Sequence, residues 1–513
     1  MKKLKGPIEN FTWEESFDFS DEKLGTGWIL RQKIDIPLLD PNKSINTGKR
    51  SIIIPTNEGH LIRILSEKIK NAKEFICVSS FLIQKSEFTD ALIESATRGI
   101  KIFLLTARES ELSKAKDDLS ESEFEKIQEH KELLDLFAGN ILVRTSDLFH
   151  AKYCLVDPLH TDAFGIMMTC NATIDAMRGV NQEIAMSLTK KEIQSFFSHF
   201  IHGFWGMANY EILTKGDLTP VKRDITIGID YGKIELPVTT QNLHTLREKI
   251  VDLIKNAKHS IIIGAWSFDE DSIFYKHFIE ALERGVEIKI FTRPKKNTLA
   301  LKNLVDEGVQ VLGQQRFHAK FIIVDGSGGL ITTSNFTKLG LDSGFEVSVI
   351  LDTDEIERIT PLLEYWEKGC DWELRLDIQI KDANEKFLLF SPEEFMLKEI
   401  KIESYVESIN PKKEIESCEQ VLNYSLNKEK ARKIAMESPE KRIKIVKISE
   451  KLEFPVLPTQ ASRVDRSDTE LPVYSLRNKK YYIVIEKWED LPEAQVIAKK
   501  LKKKTKIVTR KKQ

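Results

Sequence analysis

Two decapeptides pose the chemical question: LFHAKYCLVD at residues 148–157 and RFHAKFIIVD at residues 316–325. Each sets a histidine and a lysine one residue apart at the head of an apolar run. Alternate side chains of a strand share a face, so His150 and Lys152 point one way, and so do His318 and Lys320. An imidazole and an ammonium shown to one spot make a site for phosphate chemistry. The lysine supplies charge, and the histidine serves as nucleophile or proton donor. Asn171 and Asn335 follow, with Thr169 and Thr333 two residues before them. Their amides and hydroxyls offer hydrogen-bond donors to non-bridging phosphate oxygens. Glu183 and Glu346 come 12 and 11 residues after the asparagines. Each can accept the Nδ1–H of a histidine, which fixes the tautomer and raises the basicity of the ring. Asp157 and Asp325 read as structural, bonding near the strand ends. One His–Lys pair on a strand is usually decoration. Here the whole order His, Lys, Asp, Thr, Asn, Glu occurs twice.

The elements that must carry these residues also repeat. IKNAKEFICVSSFL (69–82) matches IKNAKHSIIIGAWSF (254–268), and ALIESATRGIKIFLLTAR (91–108) matches HFIEALERGVEIKIFTRP (277–294). Each pair reads as helix followed by a short Ile- and Val-rich strand, with Gly99 and Gly285 as left-handed helix stops. Helix alternating with apolar strand predicts an α/β fold, with helices on the faces of a mixed sheet. Copy one carries a charged helical stretch before its HAK segment where copy two is shorter. Each copy ends in an amphipathic helix, containing Trp205 or Trp366. The expected organisation is an N-terminal extension (1–50), repeat one (51–212), a linker (213–237), repeat two (238–374) and a smaller α+β C-terminal domain (375–513). All 24 glycines lie at or before Gly369, so composition changes there. The end of the chain reads as a small βαβ unit. Trp13 and Trp28 read as packing anchors.

This pattern resembles the phospholipase D superfamily, whose motif is HxK, four residues, Asp, six residues, then Gly-Ser-x-Asn. Copy two keeps that spacing through His318, Lys320, Asp325, Thr333 and Asn335. Copy one keeps it through Asp157 and then has a loop four residues longer. Both copies replace the glycine (Met168, Thr332) and carry threonine for serine. The resemblance spans roughly residues 51–374. It implies two repeats about a pseudo-two-fold axis sharing one active site, and a phosphohistidine intermediate. The first motif usually supplies the nucleophile, which assigns attack to His150 and acid catalysis to His318. A coupled imidazole pair predicts a bell-shaped rate profile at neutral to mildly acidic pH. The scheme requires no metal and no cofactor. His199 and His202 stand at helical spacing on an aromatic-rich helix and read as packing residues rather than metal ligands.

Lipid, DNA and RNA present the same diester. SNFTKLGL after the second asparagine resembles the nuclease branch, and the Asn-x-Asp-x-Arg-Ser of cardiolipin-synthase-like members is absent from both copies. Residues 497–513 carry nine Lys or Arg and no acid, although the formal net charge is -2. Such a tail suits a polyanion. These features favour a nuclease with nucleic acid as partner. A soluble phospholipase D or phosphatidyltransferase is the alternative, and a silent nucleic-acid-binding scaffold a third reading. No apolar run approaches a membrane span, no signal peptide is evident, and the five cysteines are scattered without metal spacing. A cytoplasmic protein with reduced thiols is the expectation.

Overall fold

A computed structural model describes residues 8–9, 21, 23–32, 49–107, 121–222, 232–269, 274–294, 298–383, 385–391, 396–409, 443–448, 456–457, 473–476 and 481–485. Contacts divide the chain into two units, residues 23–400 and residues 1–22 with 401–513.

The larger unit holds two mixed sheets. In the first, the Phe75–Ser79 strand runs parallel to Lys101–Ala107, which runs parallel to Leu142–Ser146. On its other side Phe75–Ser79 pairs antiparallel with Tyr153–Val156, followed by Phe164–Met168, Ala185–Ser187 and Ile52–Ile53. The second sheet has the same seven strands in the same order. From Gln310–Gly313 they run through Glu287–Thr292, Ser260–Gly264, Phe321–Val324, Gly328–Thr332 and Glu346–Leu351 to Val238–Thr239. Helices His60–Lys70 and Glu87–Thr97 pack an outer core on the first sheet. Thr245–Asn256 and Phe274–Glu283 do the same on the second. A central core joins the sheets and takes side chains from Lys190–Ile201 and Thr353–Gly369. Gly99 and Gly285 hold φ of 90° and 83° between helix and strand, the left-handed region that lets the chain reverse without a Cβ clash.

The second sheet is wider than the repeat boundaries implied. Lys23–Leu30, from the supposed N-terminal extension, lies between Trp372–Gln379 and Lys386–Ser391, and Met396–Lys401 closes the edge. The strands approach closely at Gly27, where a Cβ would stand 2.2 Å from the Leu388 carbonyl oxygen. Trp28 is fully buried, and its Nε1 donates to Thr298 Oγ1 at 3.0 Å, so it is a packing anchor. Trp372–Gln379, Lys386–Ser391 and Met396–Lys401, mostly assigned to a C-terminal domain, therefore extend this sheet.

One arginine ties the two repeats together. Thr189 and Asp352 each start their helix with a capping box, whose third residues are Glu192 and Glu355. Arg50 bonds both carboxylates, through Nη1 to Glu192 at 2.5 Å and through Nε and Nη2 to Glu355. Nη2 also donates to the Ile350 carbonyl at 2.7 Å.

In the smaller unit the described strands form a five-stranded sheet, in the order Ile8–Glu9, Ile443–Ile448, Tyr481–Ile485, Val473–Leu476, Val456–Leu457. Trp13, Cys418, most of the expected βαβ unit, the basic tail and part of the linker lie outside the described residues. Among the described residues no helix is long and apolar enough to cross a membrane.

Candidate functional site

The site forms where the two repeats exchange backbone. Phe149 pairs with Phe345, and Gln182 with Phe317, as isolated parallel bridges. The Phe345 carbonyl accepts from the amides of His150 (3.3 Å) and Ala151 (2.8 Å), and the Gln182 carbonyl accepts from His318 (3.2 Å). In each case the residue before a glutamate grips the segment that opens the other repeat's HxK strand.

That register crosses the side chains. His150 Nδ1 bonds Glu346 Oε1 at 2.7 Å, and His318 Nδ1 bonds Glu183 Oε1 at 2.6 Å. Each histidine thus depends on the carboxylate of the other copy. The second oxygen of each glutamate accepts from a threonine of its own copy: Thr169 to Glu183 at 2.6 Å and Thr333 to Glu346 at 2.5 Å. Those threonines are fully buried, and their oxygens accept from the amides of Ile184 and Val347. Each hydroxyl has one proton, and it is committed to the carboxylate. The expected direct contact of Thr169 and Thr333 with phosphate is therefore corrected. They hold the glutamates that hold the histidines.

Lys152 and Lys320 are buried and donate to the carbonyls of their own histidines, Lys320 at 2.7 Å. Lys320 Nζ also lies 3.3 Å from both ring nitrogens of His318. Asn171 and Asn335 sit past the ends of Phe164–Met168 and Gly328–Thr332, where the loops Ile83–Ala172 and Phe268–Phe336 bridge. Met168 and Thr332, at the motif's glycine position, remain in ordinary strand and donate to the carbonyls of Lys152 and Lys320. No tight turn is required there, which is why both substitutions are accommodated. Asp157 and Asp325 stand at the far strand ends with φ of 48° and 52°. Asp157 accepts from the amides of Lys73, Glu74 and Phe75, and Asp325 from those of Lys258, His259 and Ser260. They fasten the helix-to-strand turns, away from His150 and His318.

Two aromatic walls escaped the motif reading. Phe81 meets the His150 ring edge-on at 5.2 Å between centroids, and Trp266 meets His318 at 5.8 Å. A signal for them existed, since each is the second residue past the end of the matching strand, in VSSFL and GAWSF. His199 lies in the central core behind the site. It stacks on Phe345 at 3.8 Å and bonds the Tyr153 hydroxyl at 3.1 Å.

Burial sets the protonation states. It pushes Lys152 down to about 7 against the pull of Glu346, and Lys320 down to about 8 against Glu183. It pushes His318 down to about 4, outweighing Glu183, with Lys320 adding to the fall. His150 moves the same way. Burial alone would raise Glu183 and Glu346, but the histidines bonded to them hold both below the usual carboxylate range. With lysines charged, glutamates ionised and both rings neutral, the six groups sum to zero. One added proton on a ring makes the site cationic and able to neutralise a diester anion.

A family model described as "Cardiolipin synthase, PLD-like domain" matches residues 65–205 and 250–365. Among solved structures, the polyphosphate kinase of Porphyromonas gingivalis aligns at 15% identity over 74% of this chain, with a TM-score of 0.45. The match spans 56% of that kinase. The phosphatidylserine synthase of Haemophilus influenzae aligns at 12% identity over 66% of this chain and 92% of its own, with a TM-score of 0.46. Nuc of Salmonella typhimurium, a phospholipase D family member, aligns at 26% identity over 25% of this chain and 90% of its own, with a TM-score of 0.23. No curated protein matches the sequence.

Proposed function

The chain belongs to the phospholipase D superfamily, and from that premise we propose that it cleaves or transfers phosphodiesters through a phosphohistidine, with phospholipid head groups as its substrates. The crossed pairing of His150 with Glu346 and of His318 with Glu183 carries this reading. Each carboxylate takes the Nδ1–H of its ring, so the lone pair of each neutral imidazole lies on Nε2. His150 Nε2 attacks phosphorus, and the bond to the leaving oxygen breaks. His318 gives that oxygen its proton, then takes one from water or an acceptor alcohol, whose oxygen displaces His150 and regenerates it. Lys152, Lys320, Asn171 and Asn335 support the charge on the non-bridging oxygens. An arriving anion raises the depressed imidazoles, so the proton that His318 needs is taken up with substrate.

The description of the matched family model favours lipid over nucleic acid. A nuclease is the second reading, favoured by Asn335-Phe336-Thr337-Lys338, which resembles the nuclease branch. The test incubates the protein, in excess EDTA, with phosphatidylglycerol and phosphatidylcholine vesicles, DNA and RNA. Release of head groups, abolished by His150→Ala and by His318→Ala, is the expected result. Cleavage of nucleic acid alone moves the assignment to the second reading. Cleavage that survives either substitution overturns the mechanism.

A further inference from the structure

At the opposite ends of the first sheet's strands from the histidines lies a cavity of about 310 Å³. Its walls follow from two periodicities. The register Phe75 with Lys101 and Cys77 with Phe103 places these four side chains on one face of the parallel pair. Phe197, Phe200, Ile201 and Phe204 recur at helical spacing on the segment above. Trp205 completes the lining and is 44% exposed. Residues 202–207 form a π-helix, a local form frequent at functional sites. The aromatic wall is held in place from behind: the Arg144 guanidinium lies 4.6 Å from the Phe204 ring and 4.4 Å from the Trp205 ring. Arg144 also donates to the Phe204 carbonyl at 2.7 Å. Lys101 stands at the mouth, exposed and with no ion pair among the described residues.

The second repeat shows that the fold does not need this hollow. There the equivalent strand pairs are Ser260 with Glu287 and Ile262 with Lys289. Aligning the two capping boxes sets Phe204 opposite Glu367 and Phe197 opposite Thr360. Where the first repeat sets Phe103 edge-on against Phe204, the second closes the same position with a Lys289–Glu367 ion pair.

We infer that this cavity in the first repeat binds a single-chain anionic amphiphile, its alkyl chain among the aromatic rings and its anionic head on Lys101. The volume suits a small apolar ligand, since pockets for such molecules start at roughly 300 Å³. Lys101, the one cation among the described lining residues, selects the sign of the head group. Nothing in the inference depends on turnover at the histidines, and the readout is binding.

Isothermal titration of the full-length protein with dodecanoate, below its micelle concentration, should show one saturable site. Lys101→Ala should weaken dodecanoate by about two- to fivefold, the worth of an exposed ion pair, and leave dodecanol unchanged. The double change Phe103→Lys with Phe204→Glu, which copies the second repeat, should weaken both ligands by at least about tenfold. A His150→Ala/His318→Ala double variant should bind as wild type. No binding to wild type overturns the inference. So does equal loss of dodecanol and dodecanoate in Lys101→Ala, or loss of binding in the histidine variant, which would seat the ligand at the diester site. If the double change does not fold, the Lys101→Ala comparison decides.

Discussion

At the scale of single residues the protein works by crossed support. Glu183 takes one hydrogen bond from Thr169 of its own copy and one from His318 of the other. Glu183→Gln removes the pull that opposes burial, so the His318 pKa should fall further below about 4 while His150 keeps its titration. Turnover should drop about 10- to 100-fold, as for other partners that orient a histidine. Histidine-selective NMR titration checks the pairing, and movement of the His150 signal instead would show that the pairs are not crossed. The pH dependence follows from the same groups. Raising pH through about 7 and about 8 discharges Lys152 and Lys320 and removes the attraction for a diester anion. Lowering pH protonates His318 at about 4, and protonation of His150, which burial also depresses, removes the attacking lone pair. The profile of kcat/KM on a small soluble diester should therefore be a bell with its maximum between those limits. A maximum well above pH 8, where both lysines are largely neutral, would show that they do not hold the diester.

At the scale of elements, the last helix of each repeat is anchored at its first turn, and Arg50 joins the two anchors. Its side chain is 8% exposed and that of Glu355 1%. Removing one partner of a buried ion pair leaves an uncompensated charge and costs about 3–5 kcal/mol. Arg50→Ala should lower stability by that order, read from the urea midpoint. A loss under about 1 kcal/mol would mean that the capping boxes alone hold the helices, since an isolated cap contributes about that much. The motif strands differ from the helices in what sets them. Tyr153–Val156 and Phe321–Val324 are buried on both faces, so their composition alone identifies them. The edge strands Ile52–Ile53 and Val238–Thr239 are two residues each and carry too little pattern to be read.

At the scale of the whole molecule, neither repeat contains a complete site. Both His–Glu bonds of the site join copy one to copy two, and the backbone bridges Phe149–Phe345 and Gln182–Phe317 hold them in register. The described strands of both sheets and all the site's side chains lie within residues 23–401. The chain cut back to residues 23–400 should therefore fold and still turn over a small diester. Complete loss of turnover in a folded truncation, judged by its melting transition, would assign part of the site to the removed residues.

The sequence by itself determined the chemistry and the duplication. Chemical identity and spacing along one strand are local, so HxK, the following asparagines and the helix–strand periodicity can be read without coordinates. The structural place of Asp157 and Asp325 was legible for the same reason, because they end strands that composition defines. Only the tertiary structure decided which glutamate serves which histidine, that the threonine protons go to carboxylates, and that Phe81 and Trp266 wall the rings. Those facts rest on contacts between segments well over a hundred residues apart, or across loops, where spacing carries no information. The same holds for Lys23–Leu30. Its partners, Trp372–Gln379 and Lys386–Ser391, come from far later in the chain, and no pattern in the strand itself names them, although Gly27 gives the Leu388 carbonyl the room that the pairing needs.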